Sequence, residues 1–321
     1  HLFQVAQSYW DLYRSRVLRL QKQKLRDNAQ EILNLLQARA QVDAVQRQIL
    51  RAQAAVASRR SEILRTQAAV RNAESRLRLL VNDPRLLDGG RIELVPSEWP
   101  LPQYVPVSMR ESLQTAVHSR PDVAGALREI RAAGVRLGVA QNELLPKLDL
   151  IMSTYVAGLE GNAEIGTAVG NQFSVGEPGF SLGLLFEVPL GNRIARAECE
   201  RRQFEMRRAE MVFRSTVETG LTEVELAVRE VETAYQEMAS KYQAMVAAHA
   251  EEQYLNERWR LIPGDDGDTP HLLEDLLDAQ ERLAEEESAF VTAQVTHTLA
   301  LTELKRATGT LMRFTPGPCG P

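Results

Sequence analysis

The chain has 321 residues, 25% charged and 44% hydrophobic, with a formal net charge of -5, which suits a water-exposed protein with room for two domains. It contains no run of about 18 apolar residues, which excludes a transmembrane helix but leaves a membrane β-barrel open. Cys199 and Cys319 give neither ligand spacing nor a disulfide framework, and His1, His118, His249, His271 and His297 form no triad; without a glycine-rich phosphate loop, no enzyme activity, metal site or cofactor is expected.

Residues 1–82 read as a first helical hairpin, with helices at 2 to about 38 and 46 to 81. The second is rich in alanine (Ala52, Ala54, Ala55, Ala57, Ala68, Ala69, Ala73), so it is expected to pack closely against others. Residues 83–107 carry Pro84, Pro96, Pro100, Pro102 and Pro106 with Asp88-Gly89-Gly90, and predict an extended strap. Residues 108–144 form two entry helices: Ser108 caps a short one ending near His118, and Pro121 opens another at its first position that runs to about Glu143.

Within residues 145–190 the hydrophobic period changes to two. Leu148, Leu150, Met152 and Val156 alternate with Lys147, Asp149 and Ser153, while Phe180, Leu182, Leu184, Phe186 and Val188 alternate with Ser181, Gly183 and Glu187. These are two strands with one apolar face each, joined by a long glycine-rich stretch, Gly158 to Gly179, expected to be a flexible loop. An isolated strand pair is marginal in water. With long helices on either side, the pair is expected to complete a sheet across subunits, and closing that sheet gives a barrel with an apolar exterior.

Residues 191–312 form a second, longer helical hairpin. From Asn192 to about Arg260 there is no proline and only Gly220 as a breaker, which predicts a helix of about 100 Å at 1.5 Å per residue. Leu221, Val224, Val228, Val231, Tyr235, Met238, Tyr242 and Met245 alternate steps of three and four, the seam of a coiled coil. The loop Pro263 to Pro270 stops this helix and starts the return helix. Its aspartates, Asp265, Asp266 and Asp268, lack the flanking ligands of a calcium loop. Residues 313–321 are expected to be a disordered tail.

The two hairpins are copies. Ile49, Val56, Ile63, Val70 and Leu77 sit seven apart, and the same comb returns 227 residues later as Leu276, Leu283, Phe290, His297 and Leu304. Ile49-Leu50-Arg51-Ala52-Gln53 matches Leu276-Leu277-Asp278-Ala279-Gln280, and Val5-Ala6-Gln7-Ser8-Tyr9 matches Val231-Glu232-Thr233-Ala234-Tyr235 one residue out of that step. A duplication of this length places the counterpart of Pro121 about 106 residues before His1, so the chain is expected to be an amino-terminally truncated part of a longer protein. The copies differ in charge. Residues 1–82 hold 15 Lys or Arg against 6 Asp or Glu, a net +9, and residues 251–306 hold 5 against 14, a net -9. Such polarity either steers subunits and partners together or gives solvated faces of opposite sign.

Arg120-Pro121-Asp122-Val123, Leu144-Leu145-Pro146, Phe186-Glu187-Val188-Pro189-Leu190-Gly191-Asn192 and Leu276-Leu277-Asp278-Ala279-Gln280, in this order and spacing, resemble the TolC family of outer-membrane efflux proteins. The resemblance covers nearly the whole chain. It implies a mainly α fold, with long antiparallel coiled-coil helices in two tandem repeats and a short β-hairpin contributing to a trimeric transmembrane β-barrel. It further implies a homotrimer in contact with outer-membrane lipid and extending into the periplasm, and a passive exit duct that works with a periplasmic adaptor and an inner-membrane pump or a secretion ATPase. Phe180, Leu182, Leu184, Phe186 and Val188 would then face lipid. Asp275 and Asp278 fall where a family member carries paired aspartates ringing the periplasmic entrance. Their spacing of three puts both on one helix face, so three subunits would bring six carboxylates to one axis, favouring cations. A solvated acidic face is the alternative, with Glu274 and Glu281 close by, although the first repeat has Gln48 and Arg51 at the equivalent positions.

Two other architectures stay open. A periplasmic adaptor also has long hairpins but would insert one into a lipoyl-like β domain, and a structural coiled-coil rod would leave the alternating strands unexplained. The first hairpin tip, Ala40 to Ala44, departs from the family in lacking a glycine turn. His297, in a core position with no second ligand nearby, is expected to be a hydrogen-bonded packing residue, as are Trp10, Trp99, Trp259, Met238 and Met245 in the packing sense. Arg201, Arg202, Arg207 and Arg208 would meet lipid head groups or water. The basic residues of the first hairpin lie all round the helices without an aromatic stripe, so nucleic acid is not an expected partner.

Overall fold

The computed structural model describes residues 1–39, 46–86, 92–157, 165–174, 177–261 and 269–313. Both hairpin tips, the Asp-rich loop, Cys319 and the tail from residue 314 lie outside the described residues. Among the described residues, seven helices and two strands follow in the order α1 (Leu2–Arg39), α2 (Gln46–Val81), α3 (Met109–Ser119), α4 (Pro121–Asn142), β1 (Lys147–Tyr155), α5 (Ile165–Ser174), β2 (Gly179–Glu187), α6 (Arg193–Leu261) and α7 (Thr269–Ala307). A 3-10 turn, Pro84–Leu86, opens the strap. The fold is mainly α with a two-stranded antiparallel sheet, as the changing hydrophobic period predicts.

The chain forms two compact units, one of His1–Arg120 with Thr219–Pro321 and one of Pro121–Glu218. In the first, each comb becomes a buried stripe. Ile49, Val56, Ile63, Val70 and Leu77 of α2 are buried, as are Leu276, Leu283, His297 and Leu304 of α7, while Phe290 is half-buried against Tyr242 with ring centroids 5.4 Å apart. Residues seven apart keep one side of a helix turned to its partner, so a seven-residue comb is a core. At one end the core gathers Ala29, Ile32, Leu33 and Leu36 from α1, Ile49, Ala52 and Val56 from α2, Trp259 from α6 and Leu272, Leu273, Leu276 and Leu277 from α7. At the other end Ala116 of α3 packs on Val224, Val228 and Val231 of α6 and on Ala300, Leu304 and Ala307 of α7.

The strap fastens to both hairpins through its backbone. The Glu98 amide donates to the Tyr9 hydroxyl at 3.1 Å, the Leu101 amide donates to Thr298 Oγ1 at 3.2 Å, and Arg78 donates to the Ile92 carbonyl. His297 Nδ1 lies 3.4 Å from the Leu101 carbonyl, but its Nε2 has no hydrogen-bond partner. The expectation of a hydrogen-bonded packing histidine thus holds for one ring nitrogen and not for the other; the Tyr235 ring packs beside it with centroids 5.6 Å apart.

Local caps follow the chain chemistry. Ser108 Oγ accepts from the Glu111 amide and starts α3, and Pro121 begins α4, where a missing amide costs nothing. Asn82, at φ +51°, ends α2 in the left-handed conformation that asparagine tolerates. In the second unit, part of the stretch expected to be a loop is helical: α5 occupies Ile165–Ser174. Ile165, Ala168 and Val169 have helical spacing, and the neighbouring glycines outweighed them in the reading of composition.

Candidate functional site

Three features concern function: the acidic start of α7, the arginine-held junctions beside it and at α3–α4, and the two faces of the strand pair.

On α7, Leu272, Leu273, Leu276, Leu277, Ala279 and Gln280 are buried while Asp275 and Asp278 are exposed. The helical period dictates this split, since positions 275 and 278 share the face opposite the core. Glu274 does not join them. It is bonded by Arg51 and lies 3.7 Å from Arg47, both on α2, so the second hairpin is tied to the first one residue before the acidic pair.

A stronger tie lies deeper. Arg59 of α2 is 5% exposed, and it donates to the Leu25 carbonyl at 3.0 Å, to Gln280 Oε1 at 3.2 Å and to the Leu277 carbonyl at 3.3 Å. One guanidinium thus joins α1, α2 and α7, at the residue next to Asp278. Burial pulls its pKa below the usual arginine value, partly countered by Glu281 and Glu62. Sequence reasoning missed Arg59, because it falls between Val56 and Ile63 on the buried face and charged residues default to the surface.

Arg120, in the motif before Pro121, is also buried. Its Nη1 donates to Glu223 Oε2 at 2.8 Å and to the Ala307 carbonyl at 2.9 Å, binding the α3 end to α6 and α7. Gly220 makes room for it, since a Cβ there would lie 3.0 Å from Arg120 Nε. Gly309, at φ +73°, lets the chain pass so close that a Cβ would meet the Ser119 carbonyl oxygen at 2.8 Å.

In the second unit, β1 and β2 pair antiparallel from Lys147↔Glu187 to Tyr155↔Gly179. This register puts Leu148, Leu150, Met152 and Thr154 on one face with Phe186, Leu184, Leu182 and Phe180. The opposite face has Lys147, Asp149, Ser153, Ser181, Gly183 and Glu187, with Ile151, Leu185 and Tyr155 among them. Ser153 and Ser181 are hydrogen-bonded at 2.6 Å. The apolar side chains named here are all exposed, and Val188, just beyond β2, is also exposed. Among the described residues no third strand covers either edge.

The arginines following the strands are occupied locally: Arg201 pairs with Glu198 at 2.5 Å, Arg202 with Glu205 at 2.7 Å and Glu198 at 2.9 Å, and Arg207 lies 5.7 Å from the centre of the Phe204 ring. Trp10 and Trp259 pack in the core as expected, but Trp99 is 82% exposed and contradicts its expected packing role. The strap leaves its ring open to solvent, edge-on to the Tyr13 ring of α1 with centroids 6.5 Å apart. Among the described residues there is no cluster of metal-ligating side chains and no helix long and apolar enough to cross a membrane.

No protein-family model and no curated protein sequence matches the chain. Solved structures do match. The chain is similar to the MtrE outer membrane channel of Neisseria gonorrhoeae in its open state, with 20% identity and a TM-score of 0.76, covering 98% of this chain and 67% of that one. A membrane protein from Pseudomonas aeruginosa aligns at 21% identity and a TM-score of 0.74 over 96% of this chain and 67% of that one. The CmeC outer membrane channel of Campylobacter jejuni aligns at 17% identity and a TM-score of 0.72 over 96% and 62%. The chain therefore has the fold of the TolC-like outer-membrane channels and spans about two thirds of their length.

Proposed function

We propose that this chain is a subunit of an outer-membrane channel, a passive exit duct for an efflux or type I secretion system that extends into the periplasm. The observation that carries the proposal is the strand pair: two strands with an exposed apolar face and open edges, on a fold shared with channels. Unpaired backbone edges cannot lie in lipid, so the strands must enter a closed sheet with other strands, supplied by further copies in a homotrimer. Phe180, Leu182, Leu184, Phe186 and Val188 would then contact outer-membrane lipid. A periplasmic adaptor and an inner-membrane pump would supply cargo and energy, leaving the duct no catalytic task.

Asp275 and Asp278 are the proposed gate. Their exposure and their position at the start of α7 support this role, and three copies would bring six carboxylates together. Reconstitution of the whole protein in planar bilayers tests both statements. Channels with cation preference and block by multivalent cations are expected, and Asp275→Ala with Asp278→Ala should weaken preference and block. Unchanged selectivity and block in the double variant would remove the gate assignment, while absence of any conductance from the unaltered protein would remove the channel itself.

A further inference from the structure

The strap and the first hairpin enclose a pair of adjoining grooves with unlike linings. One, of about 430 Å3, runs between α1 and the strap, with Tyr13, Val17 and Leu20 on one wall and Val95, Pro96 and Trp99 on the other. The second, of about 640 Å3, is polar and reaches Arg71, Glu74 and Arg78 of α2. Arg19 and Glu93 line both, so the apolar groove opens onto the polar one at Arg19.

The apolar wall is uncovered. Leu20, Val95 and Trp99 are 64%, 69% and 82% exposed, in a concave setting where large apolar side chains commonly mark a binding site. The polar groove has spare positive charge. Arg16 bonds Glu74 at 2.7 Å and Glu93 at 2.9 Å, and Arg78 lies 3.5 Å from Glu74, so these two cations and two carboxylates balance in charge. Arg19 and Arg71 form no ion pair among the described residues, and Arg19 Nε is shut off from solvent without a hydrogen-bond partner. The one remaining carboxylate, Glu98, lies at the Trp99 end, away from Arg71.

We propose that the two grooves bind a small amphiphilic anion, its carboxylate, phosphate or sulfate head between Arg19 and Arg71 and its apolar body against Val17, Leu20, Val95 and Trp99. Each half answers a different part of the ligand. The guanidinium groups offer forked donors to an oxyanion, and the aromatic and aliphatic wall removes a short chain from water. The volumes are those of a small-molecule site, and the net positive charge of the first hairpin raises the local concentration of anions. The site is independent of the channel reading, since its residues belong to neither the strands nor the acidic pair.

Trp99 makes the proposal measurable, because Trp10 and Trp259 are buried. The full chain is titrated in lipid-free buffer with laurate while tryptophan emission and acrylamide quenching are followed. A saturable blue shift with loss of quenching is expected. Arg19→Gln and Arg71→Gln should each weaken laurate binding by about tenfold, and dodecyl maltoside, with the same chain and no charge, should bind at least about tenfold more weakly than laurate. Inorganic phosphate should leave the emission maximum unmoved. Equal shifts from laurate and dodecyl maltoside, or titrations unaltered in both arginine variants, would overturn the proposal. Trp99 already protected from acrylamide before any ligand is added would also overturn it, by placing a second copy of the chain over the groove.

Discussion

Arg59 is a cation placed where water cannot follow, held by two main-chain carbonyls and one side-chain amide. Both carbonyls belong to helices and keep their helical partners if the guanidinium is removed, so the loss is smaller than breaking a buried ion pair. Arg59→Ala should cost about 2–4 kcal/mol, combining lost hydrogen bonds with a cavity, whereas Arg59→Met, which refills the volume without a charge, should cost less than half as much. Thermal unfolding followed by circular dichroism separates the two; equal losses would mean that the hydrogen bonds and not the packing dominate. Glycine at 309 is constrained differently. Gly309→Ala forces a side chain into a left-handed residue and against the Ser119 backbone, and should cost about 1–3 kcal/mol. Gly220→Ala presses only on the flexible Arg120 side chain and should cost less, an order that the same unfolding curves check.

At the scale of elements, the strand pair supports the sharpest test, because its two faces differ by one residue in register. If the face of Leu184 meets lipid, Leu184→Arg should destabilise the inserted form by about 2–4 kcal/mol at mid-depth, while Ser181→Arg on the other face should be tolerated. Yields of heat-resistant, membrane-inserted trimer compare the two, and equal loss from both would deny that the faces have different solvents. These faces were legible beforehand because a period of two states directly which side chains share a surface. The helical combs were legible for the same reason, with a period of seven. Arg59, Arg120 and the direction of Trp99 were not. Each is decided by a second element far away in sequence: α7 turns a surface-type arginine into a buried one, and the path of the strap leaves an aromatic ring outside. Helix α5 was lost for a local reason, since glycines at 166 and 170 break the run of helix formers.

For the whole molecule, the opposite charges of the two copies are partly used inside one chain. Arg51 and Arg47 hold Glu274, and Lys24 lies 3.6 Å from Glu287, in each case basic first hairpin to acidic second hairpin. Apart from the proposed gate pair, a surplus remains exposed: Arg65 and Arg76 on α2, and Glu281 and Glu285 on α7, form no ion pair among the described residues. In the proposed ring of identical copies, contacts are heterologous, so a basic hairpin of one copy must meet an acidic hairpin of the next. The surplus charges would then favour closure and disfavour the alternative in which like hairpins meet. Arg65→Glu with Arg76→Glu should therefore weaken trimer association by about tenfold or more at 0.1 M salt. The effect should shrink at 1 M, where the screening length falls from about 10 Å to about 3 Å. Sedimentation equilibrium at the two salt concentrations measures this, and a double variant that associates like the unaltered chain at 0.1 M would mean that apolar packing alone closes the ring.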